Sequence, residues 1–153
     1  MKKTAYRLFS IQADANFSTI IDTNIQMRAF EKALEIGVIP WLENCKCIKR
    51  NIRLGKSVID YLVKCNKREI YLEVKSAIMK KGIFAMYPDA PSNRGRRHIV
   101  ALKDALDNGK DAMIVFISSL QNVEAFTPNK EIDQKLYELL KTCLLYTSPS
   151  PRD

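Results

Sequence analysis

Apolar residues along the chain switch between helical and strand spacing, and each switch marks an element. From Thr23, the residues Met27, Phe30 and Leu34 recur three or four apart, Thr23 with Gln26 reads as a capping box, and Gly37 with Pro40 ends the run. This predicts a helix with one apolar face. Ahead of it, Thr4 to Gln12 alternates loosely as a strand would, and Asp14 to Ser18 is polar and loop-like. Ser57 to Val63 and Glu69 to Ser76 read as strands on either side of a turn at Lys64-Cys65-Asn66-Lys67-Arg68, and Ile83 to Tyr87 as a third, short strand. Pro88 to Ser92 forms a loop that supplies Ser92 as the N-cap of a helix from Asn93 to Asp107, with Ile99, Leu102, Ala105 and Leu106 on one side and Gly109 at its end. Ala112 to Ser118 is a continuous apolar stretch of the kind found in buried parallel strands, so strand, helix and buried strand make a crossover unit. Val123 to Thr127 reads as an edge strand closed by Pro128, and Ile132 to Thr142 as a last helix that turns Ile132, Leu136, Leu139 and Leu140 inward. The pattern predicts an α/β fold, a mixed β-sheet flanked by helices.

Composition narrows the class. With 153 residues, 46% of them hydrophobic and 27% charged, the chain is neither disordered, collagen-like nor a disulfide scaffold. Lys and Arg total 25 against 17 Asp and Glu, a net charge of +8, which favours a polyanionic partner such as nucleic acid or an anionic membrane surface. No apolar run approaches the roughly 20 residues of a membrane-spanning helix, Met1-Lys2-Lys3-Thr4 leads into too short an apolar stretch for a signal peptide, and no amphipathic basic helix is present. The chain therefore reads as soluble and cytoplasmic, with no membrane partner. The four cysteines and single histidine do not assemble a zinc-finger spacing. Cys45-Lys46-Cys47 is the only close pair, a redox or metal site or, as expected of a cytosolic protein, reduced thiols. Residues 143–153 break in composition from what precedes them and back-translate into a sequence resembling a sequencing-library adapter. They are set aside as a tag would be, the alternative being a natural Ser/Pro-rich linker.

Charged side chains inside apolar strands are the candidate chemistry. In Tyr71-Leu72-Glu73-Val74-Lys75-Ser76 a period of two puts Glu73 and Lys75 on one face, and an antiparallel pairing through the short turn brings Asp60 of the preceding strand near Glu73. Two carboxylates can hold Mg²⁺ against a phosphate while a lysine orients the attacking water and offsets developing negative charge. The same residues also suit an exposed cross-strand ion pair.

Taken together, Tyr71-Leu72-Glu73-Val74-Lys75-Ser76, Tyr87-Pro88-Asp89-Ala90, Arg94-Gly95-Arg96-Arg97-His98, Phe126-Thr127-Pro128 and Ile132-Asp133 resemble the sugar fermentation stimulation protein A (SfsA) family in order and spacing from about Asp22 to Thr142. The resemblance implies a PD-(D/E)XK restriction-endonuclease-like core and a DNA/RNA nuclease dependent on Mg²⁺, or on Mn²⁺ in its place. It puts Asp60, Glu73 and Lys75 on the catalytic positions, with Asp60 and Glu73 as metal ligands. It also implies an alternative, a non-catalytic DNA-binding regulator of sugar (maltose) metabolism. The family usually has Ser-Arg-Ile-Asp-Phe where this chain has Ser57-Val58-Ile59-Asp60-Tyr61, so a basic side chain is missing at Val58. On this reading residues 1–20 are the remnant of an N-terminal OB-like domain or a leader, residues 21–142 the nuclease-like domain and residues 143–153 a tail. The chain is then a fragment shortened at both ends.

The remaining candidates are supporting ones. His98 shares a helix face with Arg94 and is a candidate for the catalytic network or for packing beside the sheet. Asp89 is a candidate metal contact or loop cap. Arg94, Arg96 and Arg97 crowd the first helical turn, where the helix dipole disfavours positive charge, so they ask for an anion: a phosphate, or Asp89 from within. Glu31 is a further acid, with a solvated helix face as its bland role. Lys46 to Lys56, which includes Lys49, Arg50 and Arg53, carries five basic residues and no acid and would track a phosphate backbone without reading bases.

Overall fold

Two tight turns set the architecture. In the computed structural model, which describes residues 8, 10–12, 16 and 18–147, Gly55 and Asn66 each take a positive φ, 58° and 56°, at the start of a two-residue reversal. Glycine and asparagine are the residues that reach this region at least cost. The first elements are β1 (Ser10–Gln12), paired only with β2 (Ser18–Ile20), and helix α1 (Thr23–Glu35). Then come β3 (Cys45–Leu54), β4 (Ser57–Cys65) and β5 (Arg68–Ser76), joined by those two turns into an antiparallel meander. Next are β6 (Met79–Lys81), β7 (Phe84–Tyr87), helix α2 (Asn93–Asp107) and β8 (Asp111–Ile117), which returns parallel to β5 from Ile70↔Asp111 to Ser76↔Ile117. Strand β9 (Ala125–Pro128) and helix α3 (Gln134–Thr147) complete the chain, β9 lying parallel to β7 in a small sheet of order β6-β7-β9. The main sheet has the order β3-β4-β5-β8.

The sheet is sandwiched. Leu72 and Val74 of β5 meet Phe30 and Leu34 of α1 on one face, while Tyr71 and Ile114 meet Leu102 and Ala105 of α2 on the other. Each fully buried Leu or Phe in these clusters contributes about 1.5–3 kcal/mol of transfer free energy. The fold is the expected mixed α/β arrangement with helices on both faces.

Several elements depart from the sequence reading. The cap of α1 is Asp22, whose Oδ1 accepts from the Asn24 and Ile25 N–H groups at 2.8 and 3.2 Å, rather than a Thr23/Gln26 box. Gln26 is buried and donates instead to the Ile20 carbonyl at 2.8 Å. The basic run Lys46–Lys56 is mostly strand: β3 is the sheet's edge, and exposed lysines there discourage pairing with another chain. Helix α3 continues beyond Thr142 to Thr147, inside the segment expected to be a tail. The expected strand from Thr4 is described only from Ser10 to Gln12, and residues 148–153 lie outside the described residues. Cys45 and Cys65 are opposite in the hairpin and joined by a disulfide, which corrects the expectation of reduced thiols for this pair; Cys47 and Cys143 lie outside that bridge.

Candidate functional site

The β4–β5 ladder runs from Cys65↔Arg68 to Tyr61↔Leu72 and stops one residue short of Asp60 and Glu73. Past that point side chains replace main-chain pairing. The Asp60 N–H donates to Glu73 Oε2 at 3.1 Å, and the Val74 N–H donates to Asp60 Oδ2 at 2.9 Å. The inward side of β4 changes here too: Tyr61 and Val63 pack with Phe30 of α1, but Ile59 packs with Leu102 and Ala105 of α2. Strict alternation would keep Ile59 and Tyr61 on one face. The strands part at Asp60, and the two carboxylates occupy the gap.

Glu73 is 1% exposed, and its Oε1 meets both Lys75 Nζ and His98 Nδ1. A carboxylate only accepts, so His98 Nδ1 carries the hydrogen in that bond. Helix α2 brings His98 down onto the sheet because Gly95, one turn earlier, lies flush against its neighbours. A Cβ on Gly95 would stand 2.5 Å from Tyr87 Oη and 2.8 Å from Ser92 Oγ. Burial pushes the Asp60 carboxyl above the ordinary aspartate value, and the Glu73 charge adds to that. Asp60 also opens into a cleft of about 490 Å³ between α1 and β3, where Glu31 accepts from Tyr61 Oη at 2.8 Å and from Arg50 at 2.6 Å. Burial, then the Glu31 hydrogen bond, pushes the Tyr61 phenol up.

Of the sequence candidates, the structure joins Asp60, Glu73, Lys75 and His98 by hydrogen bonds into one cluster. Asp89 is exposed on the loop after β7 and makes no hydrogen bond to that cluster; Ser92 caps α2, its Oγ accepting from Gly95 N–H at 2.9 Å. For Arg96, the anion in the crowded first turn of α2 is Asp133 rather than Asp89. Arg96 pairs with Asp133 at 2.9 Å and with Asn93, which commits its charge inside the protein. Arg94 and Arg97 are exposed, and Lys49, Arg50 and Arg53 lie along the edge strand, with Arg50 bound to Glu31. The sequence reading missed Asp133 as the lock of the α2–α3 corner. Its place in Ile132-Asp133, next to the last helix, is an N-cap signal.

The donor set suits a hard cation. Among the described residues no three acidic, histidine or cysteine side chains converge as a closed cage. Asp60 and Glu73 nonetheless offer two carboxylates at one point, and Mg²⁺ characteristically takes one or two carboxylates and keeps the rest of its shell for water and substrate phosphate.

Fold and cluster define a mixed α/β protein that carries two carboxylates, a lysine and a histidine where two strands part. Residues 24–144 match the family model described as the sugar fermentation stimulation protein RE domain, and the chain belongs to this SfsA family. It is 50% identical over 142 residues to a sugar fermentation stimulation protein homolog of Pyrococcus furiosus and 45% identical over 139 residues to one of Archaeoglobus fulgidus. Those matches cover 93% and 91% of this chain but 61% and 59% of the relatives, so the chain spans about three fifths of their length. A solved structure, that of Pyrococcus furiosus SfsA in complex with Ca²⁺, superposes with a TM-score of 0.89 at 49% identity over 95% of this chain and 62% of that one.

Proposed function

We propose that this domain is a restriction-endonuclease-like nuclease that hydrolyses phosphodiester bonds of DNA or RNA with a divalent cation, Mg²⁺ or Mn²⁺. The observation that carries the reading is the parting of β4 and β5, which sets the Asp60 and Glu73 carboxylates together with the Lys75 ammonium beside them. Asp60 and Glu73 would hold the cation. The chemistry such a cation would supply there is Lewis acidity toward a phosphoryl oxygen and toward water. Lys75, its side chain 14% exposed, stands at the mouth of the buried pair, where it orients the attacking water and offsets the charge that builds on the phosphate. His98 holds Glu73 in register from the α2 side. Exposed basic side chains supply binding that is largely indifferent to base sequence. That a relative 49% identical has been solved with Ca²⁺ supports an oxygen-lined cation site, because Ca²⁺ and Mg²⁺ both take hard oxygen donors.

One observation favours the second reading, a DNA-binding regulator of sugar (maltose) metabolism without turnover. Both Glu73 oxygens are already bonded, Oε2 to the Asp60 N–H and Oε1 to Lys75 and His98. The test is cleavage of end-labelled DNA and RNA, single- and double-stranded, with Mg²⁺, Mn²⁺ or EDTA. Cutting that stops with chelator supports the nuclease; a folded protein that shifts these substrates in Mg²⁺ and Mn²⁺ without cutting them supports the regulator. Among the described residues no helix is long and apolar enough to cross a membrane, and a cytoplasmic setting belongs to this proposal.

A further inference from the structure

A trough leads away from Asp60 along the opposite side of the sheet from His98. The cleft of about 490 Å³ that contains Asp60 adjoins a second of about 1000 Å³ between α1 and β3; Arg28 lines both, and the Glu31–Arg50 ion pair stands where they meet. The charges along it are unequal in their commitments. Glu31 is held by Arg50 and Tyr61, and Lys32 is paired with Glu35 at 2.9 Å. Arg28 and Lys46 are exposed, and among the described residues neither has an ion-pair partner. Two uncompensated cations therefore line adjoining clefts, the smaller of which holds a candidate catalytic acid.

We propose that this trough carries the phosphate backbone of a single nucleic-acid strand into the site, with Arg28 and Lys46 as its phosphate contacts; this rests on the nuclease reading above. Each compartment has the volume of a pocket that takes one small ligand, so a few unpaired nucleotides fit where a duplex does not. Tyr61 is the one aromatic residue in the lining and is 1% exposed, so bases find no stacking platform and recognition falls on phosphate and sugar. The strand is held without regard to its base sequence.

The test is fluorescence anisotropy with labelled single-stranded DNA, single-stranded RNA and duplex DNA in EDTA, where no hydrolysis proceeds, across a salt series. Arg28→Glu and Lys46→Glu are each expected to raise the single-strand Kd at least tenfold and to make the slope of log K against log salt shallower by about one. Lys110→Glu, on the far side of the sheet, leaves both unchanged, and the duplex binds more weakly than either single strand. The proposal is overturned if the two trough variants, folded by circular dichroism, bind as the parent does, or if the duplex binds more tightly than the single strands. Loss of binding in Arg94→Glu with Arg97→Glu alone would move the strand to the α2 face and also overturn it. If the parent binds through the trough but never cuts in Mg²⁺, the trough stands and the nuclease reading fails; if the parent binds no nucleic acid, both fail.

Discussion

Two buried acids stand at the two ends of α2's first turns, and their surroundings differ in kind. Asp133, 3% exposed, is met by Arg96, by the Ser92 N–H at 3.0 Å and by the Leu136 N–H at 3.0 Å. Burial alone would push its carboxyl up, yet these main-chain donors and the guanidinium outweigh that and hold it below the ordinary aspartate value. The acid serves as cap, clasp and ion pair at once. At the other corner Glu73 relies mainly on two side-chain partners, Lys75 and His98, and its neighbour Asp60 is pushed up rather than down. A carboxyl that is more comfortable ionised is a lock. One held at a cost to its charged form is of the kind found clustered at functional sites, in keeping with the proposed cation site.

The contrast can be broken from either side. The largest effect is expected at the site: Lys75→Ala should lower metal-dependent cleavage by about 10²- to 10³-fold, the range for removing one group that stabilises charge developing in the transition state. Its circular dichroism should match the parent's, and an unchanged rate would remove Lys75 from the chemistry. Next comes the lock: Asp133→Ala strands the Arg96 charge and should cost about 3 kcal/mol in urea unfolding, while the cleavage rate per folded molecule holds. Gly95→Ala should cost less, about 1–3 kcal/mol, because Tyr87 and Ser92 must move to admit a methyl group. The smallest effect has the opposite sign. Asp60→Asn keeps an oxygen for the Val74 N–H but removes a charge the fold disfavours, so its melting temperature at pH 7 in EDTA should rise.

The pH dependences of the two acids run in opposite directions. Asp133 has a depressed folded value, so its stabilisation is complete above the unfolded aspartate pKa of about 3.9 and is lost as pH falls through the folded value. Asp60 has a raised folded value, so its contribution is most favourable below about 3.9 and is lost as pH rises through the folded value. Thermal melts should then show the Asp60→Asn advantage shrinking as pH falls through the raised folded value and gone below about pH 4, whereas the Asp133→Ala deficit starts to shrink only below about pH 4. Parallel pH profiles would contradict the assignment of different roles.

How much of this was legible in the sequence follows from how local each signal is. Helix α2 was readable to both ends because Ser92 and Gly109 are adjacent punctuation, and β8 because the six-residue apolar run from Ala112 to Ile117 has few other uses. Strand β3 was not, since an exposed edge has no buried face to impose alternation on Lys46 to Arg53. The site cluster was partly readable: strand period placed Glu73 beside Lys75 and antiparallel pairing brought Asp60 near Glu73, but helix α2's packing of His98 onto Glu73 lay beyond any local pattern. The Arg96–Asp133 pair and the Cys45–Cys65 bridge span 37 and 20 residues and depend on helix packing and strand register, which no local pattern encodes. Arg96 of one family motif and Asp133 of another thus turn out to be architecture, while His98, in the same motif as Arg96, meets the Glu73 carboxylate.

The most direct test compares Glu73→Gln with Asp133→Asn in one experiment, measuring the rate of Mg²⁺-dependent cleavage per folded molecule alongside the urea midpoint. Glu73→Gln is expected to abolish cutting while the protein stays folded, and Asp133→Asn to lower the midpoint while cutting persists. Loss of activity in both variants only in proportion to unfolding would contradict the account, because it would make Glu73 a second lock and leave the parted strands without a chemical purpose.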